Sequence, residues 1–383
     1  MSNTLGIYDP IFYASEALIY LTNRLGLASR VYRQYDPAPQ QKGSTINIAQ
    51  PGSFVASAMP GTGSDITPQT ISLVLNQWQG VVLQLNDKEL AFTKEKIIQD
   101  HVGPAAYAVA NAVDVTVSQL YMDIPWFQTA AGPPSTEADI IAVRKIQLNN
   151  RVPLQDGLMH FMVSPAVEAD WLGRALFNQA NTSSDGADSQ RRGVLGQKFG
   201  YELFSNQNVQ SHVDVALTIT GAATLNTAAA VGDTTLSIKA ATALTGTLKK
   251  GDIVVITDNV TSAVENYACT TDTVASGNII TFPCSPAVRV AHATPSTWTA
   301  TQPNGKAMNL AFHRNAFALG MGVLSELGDG KGASIGSVSD PVTGLALRST
   351  VWYDGNNGQL KLRIDALWGV KTLNADLGVR LHY

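Results

Sequence analysis

Charged residues are scarce in this chain. Asp, Glu, Lys and Arg make up 15% of its 383 residues, against about 25% in an ordinary soluble protein. The formal net charge is −4 and no run of Lys or Arg stands at either end. This excludes a basic arm for nucleic acid, so we expect any contact with DNA to be weak and non-specific. A surface with so few charges suits a protein that lives in contact with other proteins.

Long apolar runs are missing as well. No stretch approaches the about 18 residues that a membrane span requires, and residues 1–21 lack the basic segment and cleavage site of a secretory signal. We therefore expect a soluble protein, made in a cytoplasm, with no membrane partner. Its two cysteines, Cys269 and Cys284, flank a Gly277-Asn278 turn signal and could lie near each other. Two free thiols are favoured in a reducing compartment, and a disulfide is the alternative.

The sequence contains no complete motif for catalysis or for metal binding. Residues 332–336, GASIG, have the form of a nucleophile elbow, but the strand before and the helix after that would expose the serine are missing. We therefore expect Ser334 to lie in a flexible loop. The histidines lack the spacing of paired metal ligands: His101, His160, His212, His292, His313 and His382. The sequence predicts no enzyme, no metal site and no cofactor.

The most regular pattern runs from Thr93 to Ile124. Apolar residues recur there at steps of three and four, the period of an amphipathic helix. Pro104 has no amide hydrogen to donate and collides with the preceding turn, so the helix must kink or restart at Gly103-Pro104. Beyond that point the charged residues are Asp114 and Asp123, which predicts a rod that is covered on most sides. We call this element the spine.

Two segments before the spine are predicted to need a supporting surface. A helix from Pro10 to Leu25 is too short to be a domain, so it must rest on its own domain or on a neighbour, and the pattern leaves both open. Residues 44–87 contain no Lys or Arg and predict a two-stranded β ribbon. An isolated ribbon is marginal in water, so we expect this one to dock on a partner. Its predicted strands and tip are 45–49, 53–58, 60–63 (tip) and 71–85.

After the spine, helices and strands alternate. A helix with Ser135 as N-cap is predicted to run to Asn149, a strand covers Gly157–Val163, and a helix opens at Ser164-Pro165. This mixture predicts an α+β region. A Gly-rich loop at 328–336 follows later, and the last predicted strands are 345–353, 359–368 and 377–382.

The composition changes between residues 213 and 303. This segment is rich in Thr, Ala, Val and Gly, has almost no helical period, and contains short β runs between turn signals. The pattern predicts a β barrel or sandwich of about 90 residues inserted into a host domain. The predicted runs are 234–239, 252–257, 279–282 and 287–290.

Three segments carry a family resemblance. They are GPAAYAVANAVDVTV at 103–117, MNLAFHRNAFALGMGVL at 308–324 and LKLRIDALWGVKTLNADLGVRLHY at 360–383. They resemble, in this order, the spine helix, the strand that resumes after the insert and the C-terminal strands of the major capsid proteins of tailed bacteriophages. This is the Hong Kong 97-type coat fold, in the subgroup with an inserted β barrel. With the matching order of elements the resemblance covers nearly the whole chain, and 213–303 matches least by residue.

The resemblance implies an α+β shell subunit of defined parts. These are an N-terminal arm (1–43), an extended β loop that overlaps a neighbour (44–92), the spine helix of a peripheral domain (93–124), an axial domain (125–212, continued at 304–340), an inserted β-barrel domain (213–303) and returning C-terminal strands (341–383). Because about 43 residues precede the ribbon, where some members carry a fused scaffolding segment of about a hundred, a separate scaffolding protein is implied. Because the ribbon has no Lys for cross-linking, we expect a non-covalent shell.

The implied function is structural. The chain would assemble in many copies, in the host cytoplasm, into the icosahedral shell of a virion, with a scaffolding protein, a portal protein and, as an open alternative, a decoration protein as partners. The residues predicted to contribute to self-association are Phe12, Leu18, Trp78 and Val81. The competing interpretation is a phage tail or host-surface adhesin-like protein, in which 213–303 would bind the receptor.

Overall fold

The computed structural model describes residues 10–33, 42–50, 69–86, 101–130, 132, 137–153, 156–179, 190–326, 329, 332–340 and 345–383. The helices within these ranges are the arm helix Pro10–Arg24, the spine helix Gly103–Ser118, and Glu137–Asn149, Pro165–Leu172 and Ala175–Asn178. Short 3₁₀ turns lie at Ala28–Arg30, Gln119–Asp123, Arg314–Ala316 and Ala375–Leu377. None of the described helices is long and apolar enough to cross a membrane.

The strands are numbered here in chain order. They are β1 Thr45–Gln50, β2 Gln69–Val74, β3 Gln77–Asn86, β4 Phe127–Thr129, β5 Met159–Val163, β6 Gln197–Lys198, β7 Tyr201–Ser205, β8 Val215–Thr220, β9 Ala223–Leu225, β10 Thr235–Ala240, β11 Ala243–Leu248, β12 Ile253–Thr257, β13 Val264–Cys269, β14 Thr273–Val274, β15 Ile279–Ser285, β16 Thr297–Thr301, β17 Asn309–His313, β18 Phe317–Gly322, β19 Ala333–Asp340, β20 Leu345–Asp354, β21 Gln359–Thr372 and β22 Gly378–His382.

The chain divides into two compact units. The first comprises Met1–Val117 with Ala318–Leu373, and the second Ser118–Phe317 with Asn374–Tyr383. The whole of β19, up to residue 340, belongs to the first unit in this division, because it pairs along its whole length with β20.

A five-stranded sheet organises the first unit. Its order is β18-β21-β20-β19, and β3 pairs with β21 as well. The arm helix contacts β19 and β20. Gly336 permits this approach, because a β carbon there would lie 2.6 Å from the backbone nitrogen of Ile11. The arm helix therefore rests on its own unit, one of the two alternatives that the sequence left open.

The predicted ribbon is also supported by its own unit. β1 pairs with β2, with Thr45 opposite Val74. Gly369 of β21 lies so close to β2 that a β carbon would overlap the carbonyl oxygen of Val74, and Leu73 packs in a small core with Leu367. The prediction of one return strand over 71–85 is wrong, because the chain leaves β2 for a different partner and continues as β3. The strand predicted at 53–58 and the tip at 60–63 lie outside the described residues.

The spine helix begins at Gly103, where a kink or restart was predicted, and Pro104 lies in its first turn. Residues 93–100 of the predicted spine lie outside the described ranges. The helix is covered on most sides, as predicted, and one stripe of Pro104, Tyr107, Ala108 and Asn111 is exposed. Tyr107 is 47% exposed. The stripe is apolar apart from Asn111, so charge content did not reveal which side faces solvent.

A six-stranded mixed sheet forms the α+β part of the second unit, as predicted. Its order is β4-β22-β17-β5-β7-β6, and the helices Glu137–Asn149 and Pro165–Leu172 contribute Ile140 and Trp171 to the core beside it. Proline at the first position opens the second of these helices, again as predicted. Ser135, the predicted N-cap, lies outside the described residues.

Residues 213–303 form β structure, as predicted. Six strands close a barrel in the order β10-β15-β13-β12-β16-β9, and β14-β11-β8 form a separate small sheet. The barrel core includes Tyr267, Phe282 and Trp298. The strand predicted at 287–290 is not formed, because Pro286 lacks a donor and the amide of Val288 bonds instead to Asp233 at 2.9 Å.

The prediction that Ser334 lies in a flexible loop is wrong. Ser334 is in β19, directly opposite Val351 of β20. Eight consecutive pairs join these strands, and this long-range pairing overrides the local preference of the neighbouring glycines for turns.

Candidate assembly surface

Strand β3 carries exposed apolar side chains of the kind predicted for self-association. Its ten residues, QWQGVVLQLN, include no charge and no proline, and among the described strands it pairs with β21 alone. Trp78 is 47% and Val82 48% exposed. Edge strands of soluble proteins usually carry charge or proline that discourages pairing with another chain. The face of β3 that holds Trp78 and Val82 is therefore suited to contact with another protein.

A charged cluster holds Trp78 in one orientation. Its indole nitrogen donates to Oδ2 of Asp365 at 2.8 Å. Arg348 donates to both oxygens of that carboxylate, at 3.1 and 2.7 Å. The guanidinium carbons of Arg348 and Arg363 lie 5.8 and 6.0 Å from the centre of the indole ring, within the range of cation–π attraction. The exposed indole is thus fixed by one hydrogen bond and two cations.

Gly80 makes this arrangement possible. It lies opposite Asp365 in the β3–β21 pairing, and a β carbon at residue 80 would lie 2.5 Å from the β carbon of Asp365. Trp78, two residues along on the same face, reaches the carboxylate diagonally across this gap. A glycine within an otherwise regular strand was the available sequence signal for such a close approach.

The predicted residues Trp78 and Val81 lie on opposite faces of the sheet. They are three positions apart, and side chains alternate along a strand. Val82 shares the face of Trp78. Val81 pairs with Ile364, in the row of the sheet that includes Gly336 beside the arm helix. Both residues are apolar, but the period of the strand places them on opposite faces.

The arm helix presents a different stripe from the one predicted. Phe12 is partly buried and Leu18 is only 9% exposed, so Leu18 faces its own unit. Ile11 and Ile19 are 55% and 57% exposed. They are eight residues apart and therefore lie on one side of the helix. Because this helix is apolar on several sides, its sequence does not show which side faces outward.

A buried arginine joins the barrel to the six-stranded sheet within the second unit. Arg380 of β22 is fully buried, and its terminal nitrogens donate to the carbonyl oxygens of Gly251 at 2.6 Å and Met122 at 3.1 Å. Its guanidinium carbon lies 5.5 Å from the ring centre of Tyr121. Burial lowers the pKa of Arg380 to about 10, so the side chain stays charged at neutral pH.

Tyr121 continues this network into the base of the barrel. Its hydroxyl lies 2.9 Å from Nδ1 of His212, and Nε2 of His212 lies 2.8 Å from Asp252. The other oxygen of Asp252 accepts from the amide of Lys249 at 2.8 Å and from the side chain of Gln302 at 2.9 Å. Burial raises the pKa of Tyr121 to about 12, so it remains a neutral donor or acceptor. The network fixes how the barrel is attached.

The two residues considered for catalysis, Ser334 and His313, have contacts that stabilise the fold. β19 continues past Ser334 to Asp340, so the strand-turn-helix context of a nucleophile elbow is not present. His313 lies 2.7 Å from Asp156 through Nε2 and accepts from the amide of Asn315 at 3.2 Å. Within the part of the chain that the structure describes, no group of three or more His, Cys, Asp or Glu residues could hold a metal ion.

Comparison with known proteins finds similarity to phage structures. No protein-family model and no curated protein matches the chain. A chain from Mycobacterium phage Che8 aligns over 93% of this chain and 90% of its own length, with 13% identity and a TM-score of 0.49. The capsid of Cyanophage P-SCSP1u aligns over 94% and 88%, with 9% identity and a TM-score of 0.45. The mature capsid of bacteriophage PhiM1 aligns over 93% and 87%, also with 9% identity and a TM-score of 0.45.

Proposed function

We propose that this chain is the major capsid protein of a tailed bacteriophage, a non-enzymatic subunit that assembles in many copies into the icosahedral shell around the genome. One observation carries the proposal. The three segments that resemble this family form, in chain order, the spine helix, strands β17 and β18, and strands β21 and β22. The resemblance therefore covers elements of both compact units rather than one local motif.

Exposed apolar surface in the first unit supports the same function. Trp78 and Val82 on β3, Ile11 and Ile19 on the arm helix and Tyr107 on the spine helix are each between 47% and 57% exposed. Apolar surface of this kind marks sites of protein contact. Neighbouring copies of the chain would cover it, in interfaces that commonly bury about 2,000 to 5,000 Å² when subunits associate permanently.

Within this family, we assign the chain to the subgroup whose coat proteins carry an inserted β barrel. The segments that lead into and out of residues 213–303 run side by side: the amide of His212 donates to Lys306 at 3.0 Å, and that of Gly305 donates to His212 at 2.7 Å. Adjacent ends are what the insertion of one domain into another requires. The barrel would stiffen a subunit or its contacts with neighbours.

The remaining assignments follow from the family resemblance. The arm (1–43), the extended loop (44–92) and the peripheral and axial domains would take the places that they have in coat proteins. The shell would be assembled in the host cytoplasm with a separate scaffolding protein and a portal protein, with a decoration protein as a further possible partner. Contact with packaged DNA would be weak, in accord with the net charge of −4.

Negative-stain electron microscopy tests this function. The purified chain is imaged alone and after co-expression with its candidate scaffolding protein, and light scattering gives the particle mass. Regular shells, sheets or tubes of megadalton mass in either sample are expected. Uniform small particles in both samples would contradict the proposal and favour the adhesin-like alternative, which receptor-binding assays of the full chain would then address.

A further inference from the structure

Cys269 and Cys284 lie directly opposite each other on β13 and β15. The amide of Cys269 donates to Asp252 at 2.9 Å and its carbonyl accepts from Gly251 at 2.8 Å, so both backbone groups point away from β15. The amide of Cys284 donates to Thr234 at 2.8 Å, away from β13. The two cysteines therefore form a non-hydrogen-bonded pair, in which facing Cα atoms are about 4.5 Å apart and side chains are closest.

This spacing falls inside the range that disulfides span, about 4.4 to 6.8 Å between Cα atoms. Both side chains belong to the barrel core, with Cys269 fully buried and Cys284 7% exposed. Both are free thiols in this structure. The Sγ atom of Cys269 donates to the carbonyl oxygen of Thr271 at 2.9 Å. Forming a bond to Cys284 would break this weak hydrogen bond.

We propose that Cys269 and Cys284 are a modification site, at which a disulfide-class oxidant such as oxidised glutathione converts the facing thiols into a cross-strand disulfide. One protein thiolate attacks oxidised glutathione, giving a mixed disulfide and releasing one glutathione thiolate. The second protein thiolate attacks the protein sulfur of that mixed disulfide and releases the second glutathione. The two protons of the protein thiols pass through water to the two released glutathione thiolates, and the two electrons lost by the protein sulfurs reduce oxidised glutathione to two glutathione molecules.

The bond would reinforce the short pairing between strands β13 and β15 of the barrel. β13 and β15 share two residue pairs, whereas β12 shares five with each of its neighbours β13 and β16. A cross-link here closes the hairpin between the two cysteines and restricts the unfolded chain. Its biological timing rests on the proposed function: a shell released from a reducing cytoplasm into an oxidising medium would gain this link slowly, through transient local opening of the barrel.

Access controls the rate of the reaction. Burial raises the pKa of Cys269 to about 12 and that of Cys284 to about 11. Thiolate, the reacting form, is therefore scarce while the barrel is closed. The bond should form readily during refolding and slowly in the native protein.

The test is refolding of the full-length chain from denaturant in a glutathione redox buffer, followed by alkylation and intact-mass measurement. The expected product is lighter by about 2 Da, has no thiol that can be alkylated after unfolding, and melts about 5 °C higher than the same sample after reduction. Cys269→Ser and Cys284→Ser, refolded in parallel, should never show this mass loss, and their melting temperatures should not depend on the redox buffer.

Three results would overturn the proposal: two free thiols, glutathione on both cysteines, or disulfide-linked dimers, in a wild-type sample whose circular dichroism matches the native protein. If refolding is inefficient, native protein held in oxidised glutathione and sub-denaturing urea gives the same mass readout. Neither measurement depends on shell assembly, so failure of the disulfide and failure of the coat-protein function can be told apart.

Discussion

The indole nitrogen of Trp78 donates a 2.8 Å hydrogen bond to Asp365 on the neighbouring strand, although 47% of this tryptophan is exposed. An exposed aromatic side chain held in one orientation loses little entropy when a partner covers it. Aromatic residues of this kind often dominate protein interfaces. The face of β3 shared by Trp78 and Val82 is therefore where substitutions should separate folding from assembly.

Val82→Glu should prevent assembly while leaving the subunit folded. The side chain is 48% exposed, so the charge is tolerated in the free chain, but a neighbour would have to desolvate it. We expect at least about a tenfold loss of assembled particles at equal concentration, measured by light scattering and electron microscopy. Gln79→Glu is the matched control, because it adds the same charge to an exposed position on the other face of β3. Equal yields of shells from both variants would exclude this face from assembly.

Arg380→Leu should destabilise the second unit severely. It leaves the carbonyl oxygens of Gly251 and Met122 buried without their donor, a loss of about 3 to 5 kcal/mol in the free energy of unfolding. Arg289→Ala is the comparison: this exposed arginine donates to both oxygens of Asp376 at 2.7 Å and should contribute less than about 1 kcal/mol. Urea denaturation measures both, and similar losses would contradict the importance given to burial.

His382 should make the protein less stable in mild acid. Its ring is buried, lies 3.0 Å from the hydroxyl of Thr129 and stacks on Phe127. Burial, with a contribution from the positive charge of Arg380, lowers the pKa of His382 from 6.5 to about 4. Between these values the unfolded chain binds a proton that the folded chain does not. Stability should therefore fall as the pH drops from about 6.5 to 4, by up to about 3 kcal/mol.

His382→Gln isolates this contribution. Glutamine can still hydrogen-bond to Thr129 but does not titrate. Unfolding free energies measured at pH 7, 6, 5 and 4 should decline less steeply for the variant than for the wild-type chain. Parallel curves would show that His382 does not carry the acid sensitivity.

Asp114 should be needed to dock the arm. Its two carboxylate oxygens accept from the amides of Gly26 and Ala28, both at 2.8 Å. Asp114→Ala leaves these amides without their acceptor and should cost about 2 to 3 kcal/mol, with faster hydrogen exchange at residues 26–30. Asp114→Asn keeps one acceptor oxygen and should cost less. An alanine variant with unchanged exchange would rule out this anchoring role.

Local pattern was a good guide where an element's period alone defines it. The arm helix, the restart of the spine at Gly103-Pro104, the α+β character and the β strands within 213–303 were all predicted from spacing and turn residues. Local sequence pattern failed where pairing with residues distant in the chain determines the secondary structure. Ser334 is in a strand because β20 pairs with it, and the return strand divides because β2 packs under Gly369 while β3 pairs with Asp365 and its neighbours.

Local pattern was also insufficient to predict which side chains lie on the candidate assembly surface. Hydrophobicity predicted Trp78, which is half exposed, together with Val81, which lies on the other face of β3. On the arm it predicted Leu18, which is buried, rather than the exposed Ile11 or Ile19. A strand of uncharged residues and a helix apolar on several sides each have more than one face that could be buried.

The amino-acid sequence specified most helices and strands of this protein, because helix and strand periods, prolines and glycines act over a few residues. It also determined the scarcity of charge and the segments that resemble a coat protein. The tertiary structure sets which faces are exposed, how Trp78 is held by Asp365 and two arginines, and how Arg380 ties the barrel to the sheet. Each of these depends on residues distant in the chain, whose proximity no local pattern encodes.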